Sequence, residues 1–93
     1  MPKYYNYKVV GYYLYFTSKC VIEAMHVHAS DSEMTQAGAA KFFVKEDGDS
    51  IVQEQGQLND REVRKIQVFI KGNFKDMYQL WQQYSEEGFY KGE

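Results

Sequence analysis

Two histidines, His26 and His28, are the side chains of this sequence best suited to chemistry. If the segment that carries them is a β-strand, alternate side chains share one face and stand about 6.5 to 7 Å apart. With ordinary pKa values of about 6.5, two imidazoles can act as general base and general acid when a ribose 2′-hydroxyl attacks phosphate. The pair is therefore the candidate catalytic site.

An acid–base site for RNA also needs a cation for the phosphate and rings on which a base can stack. Lys19 and Lys41 are the candidate cations. Tyr13 and Tyr15 are the candidate stacking rings. The alternative interpretation gives the histidines no catalytic role, as half-exposed strand residues hydrogen-bonded to their neighbours or as part of a binding surface.

A metal site is a third interpretation of the histidine pair. A catalytic zinc takes three protein ligands, and the chain has only two histidines. The remaining ligand would come from Cys20, Glu23, Asp31 or Glu33. Glu23 is the nearest, but three residues before His26 it lies on the opposite face of an unbroken strand. We therefore expect weak metal binding or none, and no cofactor, and we keep Glu23 as a candidate binding residue.

Four strands are predicted before Gly56. Residues 8–17 are rich in β-branched and aromatic side chains, and residues 25–29 alternate between apolar and polar. Residues 41–45 and 50–54 flank an Asp-Gly pair, which is the strongest short hairpin signal in the chain. These patterns predict a small, mainly antiparallel sheet.

The second strand decides where the histidines point. Met25, Val27 and Ala29 take the core side of this strand, so the imidazoles lie together on the other face. We expect His26 and His28 to face solvent, or a shallow cleft beside the polar loop of residues 30–38.

A helical segment is predicted over residues 59–85. Asn59 followed by Glu62 has the form of an N-cap with an acid at the third helical position. Gly72 and Asn73 are poor helix formers, which favours a break into two helices over one bent helix. Apolar residues recur at helical spacing at Val63, Ile66, Phe69/Ile70, Phe74, Met77, Leu80/Trp81 and Tyr84. With residues 86–93 as coil, the prediction is an α+β fold in which about four strands pack against a C-terminal helix or helix pair.

Composition limits the classes of protein that fit. The 93 residues, 44% of them hydrophobic, predict a single domain over residues 1–93 with its sheet in 8–55. The net charge of −2 does not indicate nucleic-acid binding, although it leaves that partner open. Without an apolar run long enough for a membrane or an apolar leader, we expect a cytoplasmic protein. Cys20, beside Val21 and Ile22, is expected to be a small buried residue rather than a nucleophile.

Several segments, taken in order, resemble one family of small bacterial proteins. They are GYYLYF (11–16), EAMHVH (23–28), AKFFV (40–44) and a helical pattern E-x-x-K-I … I-x-x-N … W, formed by Glu62, Lys65, Ile66, Ile70, Asn73 and Trp81. The family is the domain-of-unknown-function family numbered 4160, and the resemblance covers residues 9–84. It implies a small sheet packed on C-terminal helices and pairing with a second small protein encoded nearby, in a toxin–antitoxin-like cassette. It implies no established reaction.

Two functions follow as predictions. The first is an interaction module of a toxin–antitoxin-like cassette whose exposed histidine face contacts the partner or a nucleic acid. The alternative is a small hydrolase, in particular a ribonuclease, that uses His26 and His28. The sequence leaves open whether the protein is an enzyme, because a catalytic site requires a third polar group and a cation within about 4 Å of both imidazoles.

Overall fold

Four strands and one helix make up the regular structure of the residues described. The structure is a computed structural model that describes residues 2–17, 22–31 and 38–92. The strands form one antiparallel sheet in the order β1-β2-β3-β4, which confirms the predicted α+β fold. The elements are β1 (Tyr13–Tyr15), β2 (His26–Ser30), β3 (Ala40–Val44), β4 (Ser50–Glu54) and α1 (Asp60–Gln82).

The first strand is shorter than the predicted one over residues 8–17, because a tight turn interrupts it. Val9 and Tyr12 exchange backbone hydrogen bonds of 2.7 and 3.0 Å. Between them, Val10 and Gly11 have φ angles of 57° and 86°. Glycine adopts this left-handed conformation readily and a β-branched residue rarely does, so the apolar run of sequence hid the turn.

The turn returns the N-terminal residues along β1. The Tyr4 amide donates to the Leu14 carbonyl at 2.8 Å, and the Phe16 amide donates to the Pro2 carbonyl at 3.0 Å. The Tyr4 hydroxyl also donates to the His26 carbonyl at 2.8 Å. Residues 2–4 therefore pair with the outer edge of β1 and fix the end of the sheet near the histidines.

The hairpin between β3 and β4 agrees with its sequence signal. The Lys45 amide donates to the Asp49 carbonyl at 2.8 Å. Gly48 has a φ of 92°, and a Cβ atom there would stand 2.6 Å from the ring of Phe74. Glycine is thus required at position 48 both by the turn and by the close approach of the helix.

The helix is continuous through Gly72, so the favoured break into two helices is wrong. Its N-terminus has the expected capping box, in which Asn59 and Glu62 satisfy each other's backbone amides. Ile70 and Met77, on either side of Gly72, are both buried in the same core. A helical glycine costs about 1 kcal/mol relative to alanine. Burying a single large apolar side chain stabilises the fold by about 1.5 to 3 kcal/mol, which is more than this cost of Gly72.

One face of the sheet and the apolar stripe of α1 form the core. Trp81 is fully buried, as its place in the stripe predicts. The buried residues that meet there are Leu14, Phe16, Met25, Val27, Ala29, Phe42 and Val44 from the sheet region, and Val63, Ile66, Ile70, Met77 and Trp81 from the helix.

The chain beyond α1 is tied back to the sheet by backbone and side-chain hydrogen bonds. The Met25 amide donates to the Gly88 carbonyl at 2.9 Å, and the Tyr90 amide donates to the Val44 carbonyl at 2.8 Å. Trp81 Nε1 donates to the Glu87 carbonyl at 2.8 Å. This segment therefore lies beside the start of β2, where the histidines begin.

Candidate functional site

The register of the sheet places both imidazoles on the face opposite Val27. On that face His28 stands between Tyr15 of β1 and Lys41 of β3. His26 stands opposite Phe43 of β3. The predicted side-by-side arrangement of the two histidines is therefore present, with an aromatic ring and a lysine as cross-strand neighbours.

Both histidines are buried, however, so the prediction that they face solvent or a shallow cleft is wrong. The exposed fraction is 0% for His26 and 5% for His28. The ring of His26 lies 5.1 Å from that of His28, 5.6 Å from Phe43 and 5.5 Å from Trp81, measured between centroids. Tyr90, from the segment after the helix, stacks on Phe43 at 4.3 Å. Strand alternation shows which side chains share a face, but not whether distant segments cover that face.

Burial keeps the imidazoles neutral, although hydrogen bonds to backbone carbonyls favour their charged forms. His26 Nδ1 donates to the Ala24 carbonyl at 2.9 Å, so its Nε2 is the unprotonated nitrogen of the neutral ring. Burial lowers the pKa of His26 below its usual 6.5. Burial, followed by the neighbouring His26, lowers the pKa of His28 to about 4. At neutral pH both rings are therefore neutral, and neither is the imidazolium that would serve as general acid.

Glu23 and Lys41 meet beside the buried pair. Lys41 Nζ contacts Glu23 Oε1 at 2.8 Å and lies 4.9 Å from the centroid of the Phe43 ring. Because β2 begins at His26, Glu23 lies outside the strand and is not held to its opposite face. The hydrogen bond from Lys41 lowers the pKa of Glu23. Lys41 disfavours the charged form of both imidazoles, and Glu23 favours it.

The two candidate stacking rings are placed differently. Tyr15 is fully buried, and its ring lies 5.5 Å from that of His28, so it is not accessible to a nucleotide base. Tyr13 is partly exposed and lies under the ammonium groups of Lys3 and Lys8, at 4.8 and 5.5 Å from its centroid. The structure thus brings Tyr15 to the histidines and leaves Tyr13 among lysines of the N-terminal segment.

Other predicted site residues lie outside the description. Lys19, Cys20 and Glu33 are not among the residues that the structure describes. Within residues 2–17, 22–31 and 38–92, no three His, Cys, Asp or Glu side chains come close enough together to hold a metal ion.

A second feature, which the sequence did not reveal, is an exposed groove beyond the C-terminal end of α1. Ile22 is 81% exposed and Tyr84 is 53% exposed, and both line a groove of about 480 Å³. We call this surface the helix-end groove; its lining residues are Ile22, Gln82, Gln83, Tyr84, Ser85, Glu86 and Glu87. The sequence pattern predicted that Tyr84 continues the apolar stripe of the helix, but α1 ends at Gln82. The acidic run after Tyr84 was the available signal that the helix ends there.

The fold and the site define a small α+β domain with a buried His-x-His pair. The family model named Domain of unknown function (DUF4160) matches residues 11–82, which is more than half of the chain. The chain belongs to this family, so the resemblance is confirmed. Searches of curated proteins and of solved structures found no significant match. The helix that the structure describes lacks the apolar length needed to cross a membrane.

Proposed function

We propose that this domain is a protein-binding module, one member of a toxin–antitoxin-like pair of small proteins, and that it binds its partner through the helix-end groove. The observation that supports this is the exposure of Ile22 and Tyr84 in one concave surface. Single apolar side chains at a surface are ordinary. Two large ones that line the same groove are typical of a surface that another protein covers.

The groove is also well anchored, which favours binding. The amides of Tyr84 and Ser85 both donate to the Trp81 carbonyl at 3.0 Å, and the Tyr84 ring lies 5.4 Å from that of Phe16. The hydrogen bond from Trp81 Nε1 to Glu87 holds the following turn. A surface that is already ordered loses little conformational entropy when a partner binds.

The alternative, a small ribonuclease that uses His26 and His28, has less support. Both imidazoles are buried, and their lowered pKa values leave them neutral at neutral pH. The Lys41 ammonium, which would hold a phosphate, is paired with Glu23. We therefore assign partner binding to the helix-end groove rather than to the histidine face.

Co-expression with the neighbouring gene product tests the proposal. The tagged wild-type chain should co-purify with the untagged neighbour at a fixed stoichiometry, because the groove binds it. The double variant Ile22→Ser/Tyr84→Ser should lose the neighbour. Val68→Ser is the matched control, since Val68 is 72% exposed on a helix surface outside the groove. Circular dichroism checks that each variant is folded.

Two results would contradict the proposal. One is that the wild-type chain fails to retain the neighbour, or that the groove variant retains it as well as Val68→Ser does. The other is cleavage of single-stranded or structured RNA by the purified wild-type chain, abolished in a folded His26→Gln variant. That second result would favour the alternative, a ribonuclease that uses the histidine pair.

A further inference from the structure

The helix-end groove combines apolar walls with negative charge that no described residue of the groove offsets. Glu86 and Glu87 are exposed on its rim. Within the described part of the chain, neither carboxylate takes part in an ion pair, because the two pairs found there join Lys41 to Glu23 and Lys71 to Asp49. None of the groove residues that the structure describes is a lysine or arginine.

The end of α1 adds to this charge. The last turn of a helix carries a partial negative charge, which proteins commonly offset with lysine, arginine or histidine. The last turn of α1 has no basic residue, whereas its first turn has the acidic residues Asp60 and Glu62 that complement the opposite end. Two parts of the groove are therefore negative. One is the side formed by Gln82 and Gln83, and the other is the rim formed by the two glutamates.

We infer that the groove takes a segment of a partner protein that presents a lysine or arginine next to an aliphatic or aromatic side chain. This inference rests on the proposed function and adds the chemistry of the partner. The cation pairs with Glu86 and Glu87 at the end of α1. The adjacent apolar side chain packs against Ile22 and the ring of Tyr84, whose face also attracts a cation.

The ion pairs and the apolar contact contribute differently to such binding. Exposed ion pairs are weak singly and are screened by salt, so the acidic rim mainly selects the partner and speeds its approach. The buried apolar contact supplies most of the affinity. Binding should therefore weaken several-fold as salt rises from low to high concentration, and should be abolished when the apolar wall is removed.

A selection from random peptides tests this chemistry without knowledge of the natural partner. Phage-displayed 12-residue peptides are selected on the full chain at low salt, and enriched sequences are synthesised for fluorescence anisotropy. We expect enrichment of peptides in which lysine or arginine adjoins a large apolar residue. Their affinity should fall at least tenfold for Glu86→Lys/Glu87→Lys. The matched control is Glu46→Lys/Glu54→Lys, which changes two exposed acids elsewhere by the same charge and should alter affinity by less than about twofold.

The inference is overturned by any of three results. These are a selection without a basic–apolar pattern, equal binding of the enriched peptides to both charge-reversal variants, and sedimentation in which a second copy of the chain fills the groove. These outcomes are distinct from failure of the proposed function. A neighbour that is lost in Ile22→Ser/Tyr84→Ser but retained in Glu86→Lys/Glu87→Lys would support the function and refute the basic partner segment. If instead enriched basic–apolar peptides need the groove but the neighbour does not co-purify, the basic partner segment would be supported and the proposed function refuted.

Discussion

Mild acid should destabilise this domain because unfolding releases two buried neutral imidazoles into water. In the unfolded chain His28 binds a proton with its ordinary pKa of 6.5, whereas in the folded chain that pKa is about 4. The unfolded state therefore binds more protons at every pH between these values, so stability falls as the pH falls. The contribution of His28 is fully present above pH 6.5 and is lost as the pH falls toward 4.

The size of the loss follows from these two pKa values. Between about pH 7.5 and about pH 5, the free energy of unfolding should fall by about 2 kcal/mol for His28 alone. His26, whose pKa is also lowered by burial, adds to the loss in the same direction. Domains of this kind have a total stability of about 5 to 15 kcal/mol, so the change is a large share of the whole.

Urea unfolding followed by the fluorescence of Trp81 measures the effect at several pH values. Few carboxylates take up protons above about pH 5, so the histidines dominate this range. The variant His28→Gln removes one proton site and should lose correspondingly less stability on acidification. A wild-type change of less than about 0.5 kcal/mol, or equal changes in both proteins, would refute the conclusion that burial keeps His28 neutral.

Three further predictions concern the helix and the ion pair. Trp81→Ala should reduce the free energy of unfolding by about 3 to 5 kcal/mol in urea titrations, whereas Val68→Ala on the exposed surface should change it by less than about 0.5 kcal/mol. Gly72→Ala should raise it by about 0.5 to 1 kcal/mol, because an added Cβ meets no atom within 4 Å and the helix is continuous there; a loss would indicate a break. In NMR titrations, Lys41→Met should raise the pKa values of the two buried imidazoles and Glu23→Gln should lower them. Shifts of the same sign in both variants would contradict the electrostatic assignment.

The elements predicted well from the sequence are those specified by residues close together in the chain. The Asp-Gly turn at Gly48 and the cap formed by Asn59 and Glu62 each need only a few neighbouring residues to form. The stripe that buries Trp81 depends on one helical period. Val10 was misjudged because its β-branched side chain favours a strand, while the structure places it in a left-handed turn.

The candidate site was harder to predict because distant residues build it. His26 is buried by contacts with Phe43 and with Trp81 at the far end of the chain, and Tyr90 stacks on Phe43. No local pattern around the histidines encodes these contacts. The helix-end groove depends in turn on where α1 ends and on the place of Ile22, which is 60 residues earlier than Gln82 in the sequence.

Hydrogen exchange on the complex with the co-expressed neighbour tests the role of the helix-end groove most directly. Backbone amides of residues 22–24 and 82–87 should exchange more slowly in the complex than in the free chain, because the partner covers them. The amides of β2 should change little, since the histidine face is already buried by the chain itself. Slower exchange confined to surfaces away from the groove, with residues 82–87 unchanged, would contradict the proposed function.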